Sequence, residues 1–208
     1  MSLPHNEHRQ TSPLDILSPP PQIDILLPVK ERFGPKNAGA VSGVVHDLIL
    51  ASQTPDLFNV FGHPVETPFD DVSFTPLKPH RAWFHGRNIG LAKAYLNHLN
   101  GRPDPSLVEV HGRCHVAAHI SAIRPDLPIA LYLHNDPREM KGSDSVAARQ
   151  KLIRSMAVVI CVSDYIKGCF LDGLDVKHAL STKVVTARNG AQRWLQAPSQ
   201  KTNMILIA

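Results

Sequence analysis

Hydrophobic positions along this chain switch between two periods. Six short apolar runs occupy Ile23–Val29, Leu57–Phe61, Leu107–Val110, Ile129–Leu133, Val158–Val162 and Lys183–Ala187. Runs this short and this continuous suit strands covered on both faces. Between them the spacing changes to that of amphipathic helices. Val41, Val44, Val45, Leu48 and Ile49 predict a helix over about 38–52. Leu91, Ala92, Tyr95, Leu96 and Leu99 predict another over 88–99, closed by Asn100-Gly101 with Pro103 just beyond. Further helices are expected over about 114–124 and over 144–155, the latter with Ser143 as its N-cap. Ser163 is the candidate N-cap of a helix carrying Tyr165, Ile166 and Phe170. Phe74–Leu77 contains Pro76 and reads as a short edge strand. Strands alternating with helices in this way predict an α/β protein: a Rossmann-like, mostly parallel sheet with helices on both faces.

Two of these strands end in chemistry. Leu107–Val110 runs into His111-Gly112-Arg113, and Ile129–Leu133 runs into His134-Asn135-Asp136-Pro137. Ligands of open parallel sheets bind outside the carboxyl ends of the strands, so the two clusters point at one site. A histidine at such an end, His111, can hydrogen-bond a hydroxyl or steady charge as a bond breaks. It can equally be a core histidine satisfied by a backbone carbonyl. His134, Asn135 and Asp136 either line the crevice or, through Asp136-Pro137, open a turn. The loop from Gly34 to Gly39 leads into the first helix, whose free N–H groups suit an anion near Lys36, Asn37, Gly39 and Ala40. The alternative is a plain connection. A dinucleotide fingerprint is excluded: the spaced glycines are absent, and the second strand ends in Phe61-Gly62 without a ribose-binding acid.

The chain has 208 residues, a net charge of +4 and 43% hydrophobic residues, and no apolar run reaches the roughly 20 residues of a membrane span. That charge suits a phosphate-bearing small molecule or an anionic surface, while the lack of a dense basic block argues against nucleic acid. Residues 1–22 are polar, with five prolines, and read as a flexible arm without a signal peptide's apolar core. Three cysteines, Cys114, Cys161 and Cys169, form no disulfide framework, which favours free thiols and a cytoplasmic setting. Cys114, His115 and His119 near His111 lack a partner pair to complete a zinc tetrahedron, and the helix that carries them must bury Val116, Ile120 and Ile123, so no metal is expected. The stretch 78–87 mixes cations with aromatics. Arg81, Trp83, Phe84 and Arg87 are candidates for contact with a membrane surface or a lipid-linked acceptor, against the alternative that Trp83 and Phe84 pack on the core. Met204–Ala208 looks like the opening strand of a further domain, or else an added edge strand.

In order and spacing these motifs resemble the N-terminal domain of a retaining GT-B glycosyltransferase of the family 4 type. The resemblance is carried by the loop Ala38-Gly39-Ala40, the strand end Val108-Glu109-Val110-His111 and His134-Asn135-Asp136-Pro137. It continues through Val162-Ser163-Asp164-Tyr165 and Val184-Val185-Thr186-Ala187-Arg188-Asn189-Gly190. Ala38 stands where the family often has the first of two glycines. The resemblance implies an acceptor-side domain over 23–190, then over 191–208 a linker and the first strand of a second domain. It implies His111 as the catalytic residue and Lys36, Asn37, Gly39, Ala40, Arg113, His134, Asn135, Asp136, Ser163 and Asn189 as substrate-binding. The implied partners are a nucleotide-sugar donor and a saccharide or lipid-linked acceptor, without cofactor or metal. The implied role is in cell-surface polysaccharide or lipopolysaccharide synthesis, in the cytoplasm or at the inner membrane face. A GT-B sugar-nucleotide epimerase and a non-catalytic saccharide- or partner-binding module are the alternatives.

Overall fold

The computed structural model describes residues 21–36, 38–79, 86–175 and 178–190. The strands are β1 (Ile23–Leu26), β2 (Phe58–Gly62), β3 (Phe74–Pro76), β4 (Leu107–His111), β5 (Ile129–Leu133), β6 (Val158–Cys161) and β7 (Val184–Thr186). The helices are α1 (Ala40–Leu50), α2 (Arg87–Leu99), α3 (Cys114–Ile123), α4 (Val146–Ser155), α5 (Asp164–Leu171) and the short α6 (His178–Ser181). The sheet runs β3-β2-β1-β4-β5-β6-β7, and every neighbouring pair is parallel. This is the Rossmann-like α/β architecture read from the sequence, with a sheet that is wholly rather than mostly parallel. Phe74–Pro76 takes the edge, where Pro76 removes no central ladder bond.

The order places a topological switch point between β1 and β4. From β1 the chain moves outward through α1 to β2 and then β3. It returns through α2 to β4 and proceeds the other way. Right-handed crossovers then put α1 on one face and the later helices on the opposite face. The core follows suit. Ile25, Leu27 and Val60 pack with Val45 and Ile49 of α1 around Phe33. Leu26, Phe61, Val108, Val110, Ile129, Leu131 and Val159 pack with side chains of α2 through α5. Residues of alternate parity along a strand serve opposite faces, so both faces carry helices.

Parallel pairing also fixes which side chains share the α1 face. Ile25 pairs with Glu109, Glu109 with Ala130, His111 with Tyr132, and Tyr132 with Ile160. Glu109, His111 and Tyr132 therefore project to one side, beyond the part of the sheet that α1 covers.

Local chemistry sets the helix ends. Ser163 caps α5, its hydroxyl accepting the Ile166 N–H. The cap of α4 is Ser145, which accepts from Ala148, rather than Ser143 as the sequence suggests. Ser143 is fully buried and donates to the carbonyl of Pro137 at 2.6 Å, so a turn takes the residues expected to begin the helix. Asn100-Gly101 ends α2 as expected, with Gly101 at φ +84°.

Two buried charges tie distant segments together. Asp24, in the middle of β1, is 0% exposed. It accepts from the Tyr95 hydroxyl at 2.9 Å and pairs with Arg102 at 3.3 Å. Burial raises its pKa above the ordinary aspartate value, against the pull of both donors. Arg149 on α4 is 3% exposed and donates to three carbonyls: Phe170, Ser143 and Asp172. It thereby satisfies carbonyls at the C-terminal end of α5 and fixes the turn after β5.

Replacing Arg149 by methionine keeps the length of the side chain and leaves three carbonyls without their donor. A loss of about 3 kcal/mol is expected, read as a lower urea midpoint at unchanged slope. All three cysteines are buried and unpaired. Burial raises the Cys114 thiol and pushes Cys161 up to about 12. A thiol reagent at pH 8 should react slowly with the folded protein and titrate three thiols in denaturant without reductant; two or fewer would reveal a disulfide.

Candidate functional site

At the carboxyl ends of β4 and β5 three rings form a stack. His111 lies on Tyr132 with centroids 4.8 Å apart and planes 9° apart, and Tyr132 lies on His134 at 5.0 Å and 18°. The stack follows from the pairing of His111 with Tyr132, which places consecutive rings of adjacent strands side by side. The Tyr132 hydroxyl donates to the Ala187 carbonyl at 3.4 Å, drawing the segment after β7 toward the site.

Hydrogen bonds run through the same group. His111 Nε2 is 3.3 Å from Glu109 Oε2, and His111 Nδ1 is 3.1 Å from His134 Nε2. An ionised carboxylate accepts only, so a neutral His111 donates from Nε2 and keeps its lone pair on Nδ1. That lone pair accepts the Nε2–H of His134. The remaining nitrogen, His134 Nδ1, is then an acceptor and has no hydrogen-bond partner among the described residues. Desolvation first, and then the His111 ring, lowers the His134 pKa to about 4. Burial first, and then the neighbouring Glu109 charge, raises the Tyr132 pKa.

The sequence reading places His111 as the group that meets a substrate. The structure buries it to 1% exposure and engages both its nitrogens. The partners are side chains, Glu109 and His134, rather than the backbone carbonyl weighed as the alternative. The half-buried His134 offers the free nitrogen. Glu109 went unnoticed in the sequence, although its position two residues before His111 puts it on the same strand face.

The other candidate positions divide. Asp136 serves the turn: it accepts the Arg138 N–H, pairs with the Arg138 guanidinium at 2.7 Å, and its pKa is held at about 2 chiefly by that guanidinium. Asn135 is exposed beside it. Arg113 precedes α3, donates to the Gly112 carbonyl, and lines a small void with Pro28, Asn88 and His111. Ser163 is occupied as the α5 cap. Asn189 is exposed in the segment after β7.

The amino end of α1, expected to receive an anion from outside, receives the chain's own. Glu31 accepts the Ser42 N–H at 3.3 Å, and a Cβ at Gly39 would collide with its carboxylate. Gly39 is needed for that close approach, and the exposed Ala40 begins the helix. Asn37, Arg81, Trp83 and Phe84, and the residues 191–208 read as a linker and further strand, lie outside the described residues.

Lys36 and Arg87 are instead brought together elsewhere, in a cleft of about 590 Å³ outside the ends of β1 and β2, with Lys30, Arg32 and His63. Sequence reasoning missed Lys30, Arg32 and His63, whose convergence depends on the placement of α2. Among the described residues no three His, Cys, Asp or Glu side chains are grouped as metal ligands, and no helix is long and apolar enough to cross a membrane.

No protein-family model matches the chain, and no curated protein sequence does. Solved structures with a similar fold include Anabaena Alr3699/HepE in complex with UDP and glucose, at TM-score 0.51 and 13% identity over 82% of this chain and 45% of that one. The complex of the same protein with UDP-glucose is similar at TM-score 0.49 and 12% identity, over 81% and 44%. The chain thus spans a little under half the length of those proteins. What the likeness at TM-score 0.51 establishes is the fold.

The histidine stack has a measurable signature. The folded pKa of His134, about 4, lies below its ordinary 6.5. The unfolded chain therefore binds the proton more readily, and this group's contribution to stability is complete above pH 6.5 and lost as pH falls toward 4. The His134 ring resonances should titrate near pH 4 in NMR spectra, and His134→Gln should flatten the acid limb of stability. Titration of His134 near 6.5 would show the ring to be solvated and the stack open.

Proposed function

We propose that this chain is the N-terminal, acceptor-side domain of a GT-B glycosyltransferase similar to the retaining family 4 enzymes. The full enzyme would move a sugar from a nucleotide-sugar to a saccharide or lipid-linked acceptor, with retention, in the synthesis of a cell-surface polysaccharide or lipopolysaccharide. It would work in the cytoplasm, peripherally at the inner membrane face. The observation that carries this reading is the Glu109–His111–His134 chain at adjoining strand ends beside the switch point. The fold supports it, since HepE, of similar fold at TM-score 0.51, has been solved with UDP and glucose.

In this reading the three side chains act as a unit. His134 Nδ1 accepts a hydrogen bond from a sugar hydroxyl, and His111 holds the His134 ring in the tautomer that can do so. Glu109 fixes the His111 tautomer. The Glu109 carboxylate polarises the two hydrogen-bonded rings, so His134 Nδ1 is the more electron-rich acceptor facing positive charge as the donor bond breaks. Positioning supplies the rest of the rate, because two substrates must be aligned across a cleft of which this domain forms one wall.

The test uses saturation-transfer NMR and turnover together. Mono- and oligosaccharides should receive saturation from the chain, and His134→Gln should weaken that signal about tenfold. A panel of nucleotide-sugars and acceptors analysed by mass spectrometry should give little or no product with the 208-residue chain alone. Robust turnover would overturn the half-enzyme assignment; saccharide binding that is absent, or indifferent to His134, would overturn the site.

A further inference from the structure

Among the described residues, the cleft outside β1 and β2 is lined by Lys30, Arg32, Lys36 and Arg87, with His63 and one acidic side chain, Glu66. None of the four cations forms an ion pair with a described carboxylate. Elsewhere on this protein arginines do find carboxylates: Arg102, Arg124, Arg138 and Arg188 are all paired. Four like charges facing one concavity repel one another and raise the local potential, which an anion would relieve.

The walls of this cleft are packed in place. Phe33, in the middle of the cationic loop, is fully buried and stacks on Phe74 at 5.4 Å and against Phe69 at 5.0 Å. Gly34 lies so close to the Thr67 carbonyl that any Cβ would collide with it, so two walls meet there. On the third side Asn88 accepts the Val29 N–H at 3.0 Å, pinning the start of α2 to the segment after β1, and Lys30 and Arg87, next to these two residues, both line the cleft. His63 donates through Nδ1 to the Pro64 carbonyl, so its Nε2 accepts from Arg87 at 3.4 Å. That bond orients the guanidinium without neutralising it.

We propose that this cleft binds a phosphate-type anion, a phosphomonoester, phosphodiester or pyrophosphate group, carried by the acceptor. The inference rests on the glycosyltransferase reading above for the word acceptor, and on the cleft alone for the anion. Arg87 offers a planar fork suited to two phosphate oxygens, and Lys30, Arg32 and Lys36 supply point charges around it. The cleft adjoins the switch point, because Pro28 and Asn88, next to its Val29 and Arg87, line the void beside His111. An acceptor anchored here by its phosphate would extend its sugar toward His134.

Pyrophosphate and inorganic phosphate are the probes. In ¹H–¹⁵N spectra, pyrophosphate should shift the amides of Lys30, Arg32, Lys36, Thr67 and Arg87 saturably. Arg87→Gln and Lys30→Ala should each weaken binding about tenfold at unchanged thermal midpoint, while Lys151→Ala, on the exposed side of α4, should not. Equal weakening by Lys151→Ala, or shifts that never saturate, would reduce the cleft to general surface charge and overturn the proposal. Vesicles of phosphatidylglycerol in phosphatidylcholine distinguish the sources. Sedimentation that pyrophosphate reverses and Arg87→Gln abolishes supports a lipid-borne phosphate; pyrophosphate binding without sedimentation supports a soluble one. Stoichiometric displacement of pyrophosphate by UDP-glucose would overturn the assignment to the acceptor. The saccharide signal at His134 reads the glycosyltransferase proposal separately, so either can fail alone.

Discussion

The architecture depends on one constraint, that β1 is hydrogen-bonded in parallel on both of its edges, to β2 and to β4. Parallel neighbours require crossovers, and crossovers of one hand leave α1, which follows β1, and α3, which follows β4, on opposite faces of the sheet. The loops that follow these two strands therefore diverge. The gap between them is the place where side chains from β4 and β5 and from the β1 loop can approach a common ligand. The burial of Asp24 serves this strand directly. Its carboxylate is held by Tyr95 from α2 and by Arg102 just after that helix, so the crossover from β3 to β4 is bonded to β1, the strand it passes over.

Charge is handled in two ways. Several ionised groups among the described residues find a partner within the chain. Glu31 sits on the amino end of α1, Asp136 on Arg138, and Asp164 on Arg188 and Thr186. Arg149 is buried without a carboxylate and spends its donors on three carbonyls. Against that background, Lys30, Arg32 and Lys36 of the β1–β2 cleft have no ion pair among the described residues, and His134 Nδ1 has no hydrogen-bond partner among them. They lie on either side of the switch point, the cations toward β2 and the histidine toward β5. A molecule with an anionic end and a hydroxyl-bearing end would engage both.

Sequence alone determined the elements and their order. Apolar runs and helical spacing located six strands to within a few residues, and Pro76 marked the edge strand, because these signals are local: strand burial, helix periodicity and the exclusion of proline from a ladder act on neighbouring residues. The candidate histidines were legible for the same reason, since a polar residue ending an apolar strand stands out. Tertiary structure decided what those residues do. That His111 is buried between Glu109 and His134 depends on the register of β4 against β5 and on the face that Glu109 shares with it. That Glu31, eight residues before Gly39, covers the end of α1 depends on how the loop folds back. The cleft cations were beyond sequence reasoning because Lys30, Arg32 and Lys36 meet His63 and Arg87 only once α2 is docked on β1. Contacts across such separations are set by packing and hydrogen bonding in three dimensions, which no local pattern encodes.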